Sequence, residues 1–390
     1  VSDDGASARG RLASIDLVRG AIMIVMALDH TRDFFGMPGQ DPTNLATASA
    51  ALFLTRWVTN FCAPVFFLLT GTGASLAGRR LSVAALSRFL LTRGAWLILL
   101  ELVVVRCLVY QFNVDYRVTM LLVLWALGWA MIALAGGVFL PTWLLTAMGV
   151  AMIAGHNLLD TVRFRTPLWS ILHAQGFVLN TPEHVVFAAY PLVPWVGVTA
   201  VGFGLGRLYQ WERERRRAWL LGLGMATTVA FLACRAINGY GDPRVWAYQA
   251  SAPFTVLSFL NTTKYPPSFL FLLMTLGPTL LMLWAADHGV PRPLRPAATM
   301  GRVPLFYYVG HFLLIHLLAA AVAALRYGTA HWLFESPDLA HYPFSTPPGW
   351  GGGLPLVYAV WAAVVVAMYP LCRWFAGLKA RRTDAWLSYF

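Results

Sequence analysis

Asp29, His30 and Asp33 bring three ionisable groups within five residues of one another, at the far end of an apolar run. Asp29 and Asp33 are four apart and share a helical face, and His30 and Asp33 are three apart. A carboxylate beside an imidazole fixes its tautomer and stabilises the imidazolium. That is what a general base working near neutral pH requires. The helix that would carry them opens at Ser14-Ile15-Asp16-Leu17-Val18-Arg19-Gly20. With Arg19 at one membrane surface, the helical rise puts His30 about 16 Å deeper, near the middle of a hydrocarbon layer of roughly 30 Å. Ionisable groups at that depth are costly, so they tend to be paired and functional.

The same arithmetic puts Glu101 about 12 Å and Arg106 about 20 Å beyond Arg93, and His311 about 13 Å and His316 about 21 Å beyond Arg302. Glu101 and Arg106 are five apart and point to different faces, so each wants a partner on another helix. The spacing predicts Arg106 against Asp29 or Asp33, and Glu101 against a histidine or tyrosine. An ion-pair network that only fixes helix packing is the alternative. Tyr307, Tyr308 and His311 share a face, either lining a substrate or packing inside with satisfied hydroxyls. Asp29-x-x-x-Asp33 and His156-x-x-x-Asp160 have ligand spacing on a helix, but H-E-x-x-H and clustered Cys/His are lacking, so no metal is expected. Gly202-x-Gly204-x-Gly206 and Gly71-x-Gly73 with Gly78 read as surfaces for close helix packing, not as nucleotide loops. Asn261-Thr262-Thr263 matches a glycosylation sequon at chance-level spacing.

The elements that must hold these groups are apolar helices. The chain has 390 residues, 58% hydrophobic and 12% charged, with mean hydropathy +0.62. Soluble domains carry about 25% charged residues. An all-α, polytopic transmembrane helical bundle is expected, with about ten spans or eleven. The spans fall near 14–35, 51–78, 84–110, 118–140, 141–158, 185–209, 217–237, 267–286, 302–325 and 354–376, with Pro253–Leu260 as a candidate re-entrant piece. The first apolar run, Ala21 to Leu28, is short enough for a signal peptide, but the helix resumes through Phe34-Phe35, and a retained helix is the expectation.

The net charge of +12 arises from arginines in the loops between spans, a topology signal rather than a nucleic-acid surface. Arg9, Arg11, Arg79, Arg80, Arg88, Arg93, Arg207, Arg213 to Arg217, Arg292, Arg295, Arg302 and the 373–382 cluster fall on one side. The thinner set of Arg32, Arg56, Arg117, Arg163, Arg165, Arg244 and Lys264 falls on the other. Both termini are therefore placed in the cytoplasm, with residues 1–13 and 377–390 as tails around a 14–376 membrane domain. Lysine occurs only at 264 and 379, which suggests a GC-rich bacterial genome, and a multi-pass protein of a bacterial inner membrane is the expectation. Cys62, Cys107, Cys234 and Cys372 sit in apolar surroundings without a C-x-x-C pair, and are expected as small buried side chains. The outer loops at 36–39, 239–243 and 345–353 are rich in turn residues and would be ordered only by packing on something.

Arg11-x-x-Ser14-x-Asp16-x-x-Arg19-Gly20, followed ten residues later by His30, resembles the first catalytic-domain helix of membrane acetyltransferases, in the bacterial branch related to heparan-alpha-glucosaminide N-acetyltransferase. Similar text recurs at Leu54–Trp57 through Ala63–Phe66, at Asn238–Asp242, at Asn261–Ser268 and at Gly301–Tyr308. The resemblance implies a multi-helix enzyme that takes acetyl-CoA from the cytosol and passes the acetyl group to an amino-sugar across the membrane. By alignment His30 falls on a catalytic asparagine of the lysosomal enzyme and Asn60 on its catalytic aspartate. The region of its catalytic histidine holds Asp41 here. Sugar O-acyltransferases of the membrane acyltransferase-three type, more distantly similar, place a catalytic histidine fourteen residues after the same aspartate, and His30 stands at that spacing from Asp16.

The combined expectation is a membrane acyltransferase. His30 is the general base, Asp29 or Asp33 orients it, and Asn60 hydrogen-bonds the acyl carbonyl or acceptor. Glu101, Arg106, His311 and Tyr307 support them. Arg19, Arg79 and Arg80 are candidates for the CoA phosphates. The expected partners are the lipid bilayer, acetyl-CoA as co-substrate and a carbohydrate or glycolipid acceptor, without nucleic acid; a homo-oligomer is compatible. The rival is a proton-coupled transporter or exporter, which would use the same mid-membrane His, Glu and Arg groups.

Overall fold

The structure, a computed structural model, describes residues 12–162, 164, 166–336, 338–382 and 384–389. Arg9, Arg11, Arg163 and Arg165, used in the charge argument, lie outside the described residues, as does nearly all of the expected N-terminal tail. The elements run α1 (Ala13–Phe35), α2 (Ala50–Val58), α3 (Cys62–Ala77), α4 (Val83–Leu99), β1 (Val118–Leu121), α5 (Val123–Gly137), α6 (Thr142–Gly155), α7 (Pro167–Leu172), β2 (Gly176–Asn180), β3 (Val185–Ala188), α8 (Leu192–Leu205), α9 (Arg213–Ile237), α10 (Ala252–Leu260), α11 (Phe269–Ala286), α12 (Arg295–Gly301), α13 (Pro304–Tyr327) and α14 (Leu354–Arg381). Short 3-10 turns join α2 to α3 and extend α6 and α8.

Every expected span contains a helix. Among the described residues seven helical stretches are long and apolar enough to cross a membrane: 50–77, 142–159, 192–210, 213–237, 269–286, 304–327 and 354–381. Of the other three, α1 carries Asp16, Arg19, Asp29, Arg32 and Asp33, and α5 has only 15 residues. α4 loses its α-helical pattern at Leu100 and goes on as an eleven-residue π-helix to Tyr110. Serines set several helix starts: Ser49, Ser82 and Ser268 accept from the amides of Leu52, Ala85 and Phe271, which satisfies donors that have no partner within the helix.

The all-α expectation needs correction. A three-stranded sheet in the order β1-β3-β2 joins the bundle, with β1 parallel and β2 antiparallel to β3. The expected spans at 118 and 185 begin in fact as strands. Val-Thr-Met-Leu and Val-Val-Phe-Ala are short apolar runs, and at four residues periodicity does not separate a strand from a helix start. α14 also runs five residues past the expected end at 376, to Arg381.

Backbone-to-backbone contact positions α1. A Cβ on Gly20 would lie 1.8 Å from the Ala297 carbonyl oxygen, and one on Gly301 would lie 1.9 Å from that of Asp16. α1 and α12 therefore cross where only glycine fits, as small residues allow in membrane bundles. Gly202 likewise lies against the Leu68 carbonyl, in keeping with the packing reading of its glycine run. The four cysteines are unpaired, three of them buried.

Buried charges end on helix termini. The guanidinium of Arg235, 1% exposed, donates to the carbonyls of Phe259 (2.9 Å), Ser258 (3.2 Å) and Asn261 (3.1 Å) at the end of α10, and to that of Arg244 (2.7 Å). The negative end of the helix dipole holds the cation there. Glu101 does the converse, accepting at 2.9 Å from the amide of Leu124 in the first turn of α5. Glu101→Ala should strip a buried helix start of its acceptor, costing about 1–3 kcal/mol. Thermal unfolding in detergent measures this, and an unchanged midpoint would show that the cap contributes nothing.

Candidate active site

His30 sits one turn from the end of α1 and faces α13. Its ring lies 4.1 Å from that of Phe312, 5.3 Å from that of His311 and 6.4 Å from that of Tyr308, centroid to centroid. His311 is fully buried and its Nδ1 lies 2.7 Å from the Tyr307 carbonyl oxygen. A carbonyl only accepts, so Nδ1 carries the proton. Nε2 is then a bare lone pair, and it has no hydrogen-bond partner. Tyr307 stacks on the His311 ring at 5.0 Å. His316, farther along α13, bonds the Val109 carbonyl at 2.9 Å and packs among Phe34, Phe112 and Phe334.

The acidic neighbours of His30 are engaged elsewhere. Asp29 pairs with Arg32 at 2.7 Å and Asp33 pairs with the same guanidinium at 3.1 Å. Asn60, from the turn between α2 and α3, accepts from Arg56 at 2.8 Å. Both Arg56 and Lys264 act on Asp29 by charge.

Two of the expected partnerships are corrected. Arg106 turns away from Asp29 and Asp33 to pair with Asp115 at 2.9 Å, while donating to Asn113 and lying over the Tyr116 ring at 4.5 Å. Glu101 meets the amide of Leu124 rather than a histidine or tyrosine. For Arg106 the π-helix is the reason. It advances fewer degrees per residue than an α-helix, so α-helical spacing misplaces side chains beyond Leu100.

Three cavities lie among the elements around α1, and His30 is in the wall of none of them. The first, about 430 Å³, opens at the end of the bundle where α1 begins, and is lined by Arg19, Arg93, Arg302 and Lys379, with Tyr308 also in its wall. Its remaining lining is largely apolar, including Phe66, Leu69, Leu97 and Leu127. The second, about 1060 Å³, lies at the opposite end and is lined by Asp33, Arg32, Gln40, Tyr110, Tyr342 and Trp350. The third, about 230 Å³, holds Arg56, Asn60, Gln175, Arg244 and Lys264. Ring contacts link the first two by way of His30: its ring is 6.4 Å from that of Tyr308 in one wall and 4.1 Å from Phe312, which packs at 4.8 Å on Tyr110 in the other. The loop that walls the second cavity is ordered by α1 itself. Trp350 donates to the Phe34 carbonyl and Gly352 to that of Phe35, both at 2.9 Å.

Among the expected phosphate-binding arginines, only Arg19 lines the first cavity. Arg79 lines a separate groove with Arg207, and Arg80 is exposed. Arg93, Arg302 and Lys379 were counted only as topology charges. Their signal was depth: each stands beside an apolar span end rather than in the middle of a loop. Other topology arginines are structural, since Arg216 and Arg217 pair with Asp287 and thereby tie α9 to the end of α11. Two of the similar sequence stretches meet in space. Asp242 accepts from the amide and hydroxyl of Thr263 and from the Ser268 hydroxyl, at 2.6–2.9 Å, and so holds the Lys264 loop against the third cavity.

The fold and the site define a helical membrane protein of several crossing helices, with basic, imidazole and acidic groups gathered inside it. The chain belongs to the family described as heparan-alpha-glucosaminide N-acetyltransferase, catalytic, whose profile matches residues 11–240. That membership implies acyltransferase activity. No individually curated protein matches the chain.

Proposed function

We propose that the protein moves an acetyl or other short acyl group from cytosolic acyl-CoA to a sugar amine or hydroxyl on the opposite side of the membrane. One observation carries this reading: a run of ring contacts through Tyr308, His30, Phe312 and Tyr110 leads from a cavity lined by four cations to a second, larger cavity. Acyl-CoA is multiply anionic and cannot cross an apolar layer. Arg19, Arg93, Arg302 and Lys379 would hold its phosphates by charge and, for the arginines, by forked hydrogen bonds. The apolar wall beyond them would take the pantetheine arm and lead the thioester toward Tyr308. A carbohydrate suits the second cavity, where Tyr110 stacks on Tyr342 beside Asp33.

In the proposed reaction the acceptor O–H or N–H gives its proton to the His30 imidazole as the oxygen or nitrogen attacks the thioester carbonyl. The C–S bond breaks, and the departing thiolate takes the proton back from the imidazolium. Asp29 would favour the imidazolium by its charge, at a distance rather than through a hydrogen bond. Asn60 would act from the third cavity as a donor to the acceptor or the acyl oxygen.

The test is acyl-CoA binding and acceptor-dependent CoA release by the purified protein. An Arg93→Ala, Arg302→Ala double variant should raise KM for acyl-CoA about ten- to hundredfold, since each lost charged hydrogen bond costs about 1.5–3 kcal/mol and solvent screens part of it. Its kcat should change little. A folded parent that shows no saturable acyl-CoA binding would sink the proposal, and proton-driven uptake by liposomes would then test the transporter reading.

A further inference from the structure

His156, Asp160 and His173 form a second cluster, away from His30. His156 begins the 3-10 turn that ends α6, Asp160 follows that turn, and His173 caps α7. Each offers one ligand atom, and the three atoms lie within 4.8 Å of one another. Both histidines are buried, at 2% and 3% exposure. Neither ring nitrogen of His156 makes a hydrogen bond, although the backbone of Pro267 lies close by, and Nδ1 of His173 has no partner either. A neutral imidazole always carries one N–H, so His156 leaves a donor or an acceptor unsatisfied whichever tautomer it takes. A buried group of this kind wants a ligand.

The carboxylate is prepared in the manner of a metal ligand. Asn157 donates from Nδ2 to Asp160 Oδ2 at 2.8 Å, and its own Oδ1 accepts from the amide of Phe269 at 2.7 Å. Oδ2 is thereby held, and Oδ1 is left toward His173 Nε2, 3.1 Å away. Outer hydrogen bonds of this sort orient metal-bound carboxylates.

We infer that His156, Asp160 and His173 bind one zinc-like divalent ion, which pins the end of α6 to that of α7 beside the first turn of α11. Two imidazoles and one carboxylate suit zinc in tetrahedral geometry, with ligand bonds of about 2.0–2.2 Å and a water in the fourth position. Asp160 is the more exposed member of the set, so the water enters beside it. The ion has a bearing on the third cavity, because Gln175, two residues past His173, forms part of its wall.

The test uses the full chain in detergent with any affinity tag removed. Metal analysis after purification without chelators should find about one zinc per chain. Protein stripped with chelator should regain thermal stability on adding Zn2+, and with Co2+ it should show the visible bands of a tetrahedral site. His173→Ala and Asp160→Asn should lose the ion and the bands, whereas His30→Ala keeps both. The parent protein decides the matter even where the variants fail to fold. Stripped parent that neither gains stability with Zn2+ nor develops the Co2+ bands overturns the inference, as does zinc that persists undiminished in folded His173→Ala.

Discussion

Replacing His30 by alanine should lower the turnover of acyl transfer by about a hundred- to ten-thousandfold, the usual worth of a positioned general base. Acyl-CoA binding should survive, because the basic residues that would hold the nucleotide line a cavity which His30 does not line. The loss therefore belongs in kcat rather than in KM. Steady-state CoA release and equilibrium binding, measured side by side, separate the two. His311 is the control. Its Nε2 is free of partners, and its ring is 5.3 Å from that of His30. Activity within about tenfold of the parent in His30→Ala, together with collapse in His311→Ala, would move the base to His311.

Gly20→Val should prevent α1 from seating. The new side chain would begin 1.8 Å from the Ala297 carbonyl oxygen and 2.9 Å from the Gly301 amide nitrogen. Both are backbone atoms, so no rotamer change relieves the clash. Overpacking of a well-packed core costs about 1–3 kcal/mol, and more where backbones must separate. The expected result is protein that aggregates on extraction, or a melting midpoint many degrees lower. Any variant that survives should lose activity as well, since α12 leads into α13 and so sets His311 relative to His30. Gly136→Ala is the comparison. A Cβ there meets nothing within 4 Å, and it should be neutral or slightly stabilising. Equal behaviour of the two variants would refute the close-packing argument.

The helices were legible because a long apolar run has few other solutions in a membrane, and α1 and α13 do bring His30 and His311 together. The partners of the charged groups were not legible. Depth along a helix follows from the rise per residue, but rotation about the axis accumulates error, and the π-helix at Leu100–Tyr110 adds a large one at a stroke. Arg106 was assigned to the wrong partner for that reason. The basic cavity was hidden for a different one. Positive charge near span ends has a sufficient explanation in topology, and only three-dimensional convergence separates Arg19, Arg93, Arg302 and Lys379 from the rest. The sheet was missed because its strands are four or five residues long and run directly into helices or turns.

The aromatic partition between the two large cavities has an electrical consequence. Under the proposed reaction the acyl group leaves CoA as an acylium equivalent and moves one way, while the acceptor's proton ends on the CoA sulfur and moves the other. The two charges cancel, so a turnover carries no net current. Phe312, Tyr308 and His30 pack ring against ring on the route between the two cavities. A carrier that moved one uncompensated charge would feel about 2.3 kcal/mol for every 100 mV across the bilayer. In sealed vesicles the rate of this protein should therefore be the same whether the membrane is polarised or collapsed with an ionophore.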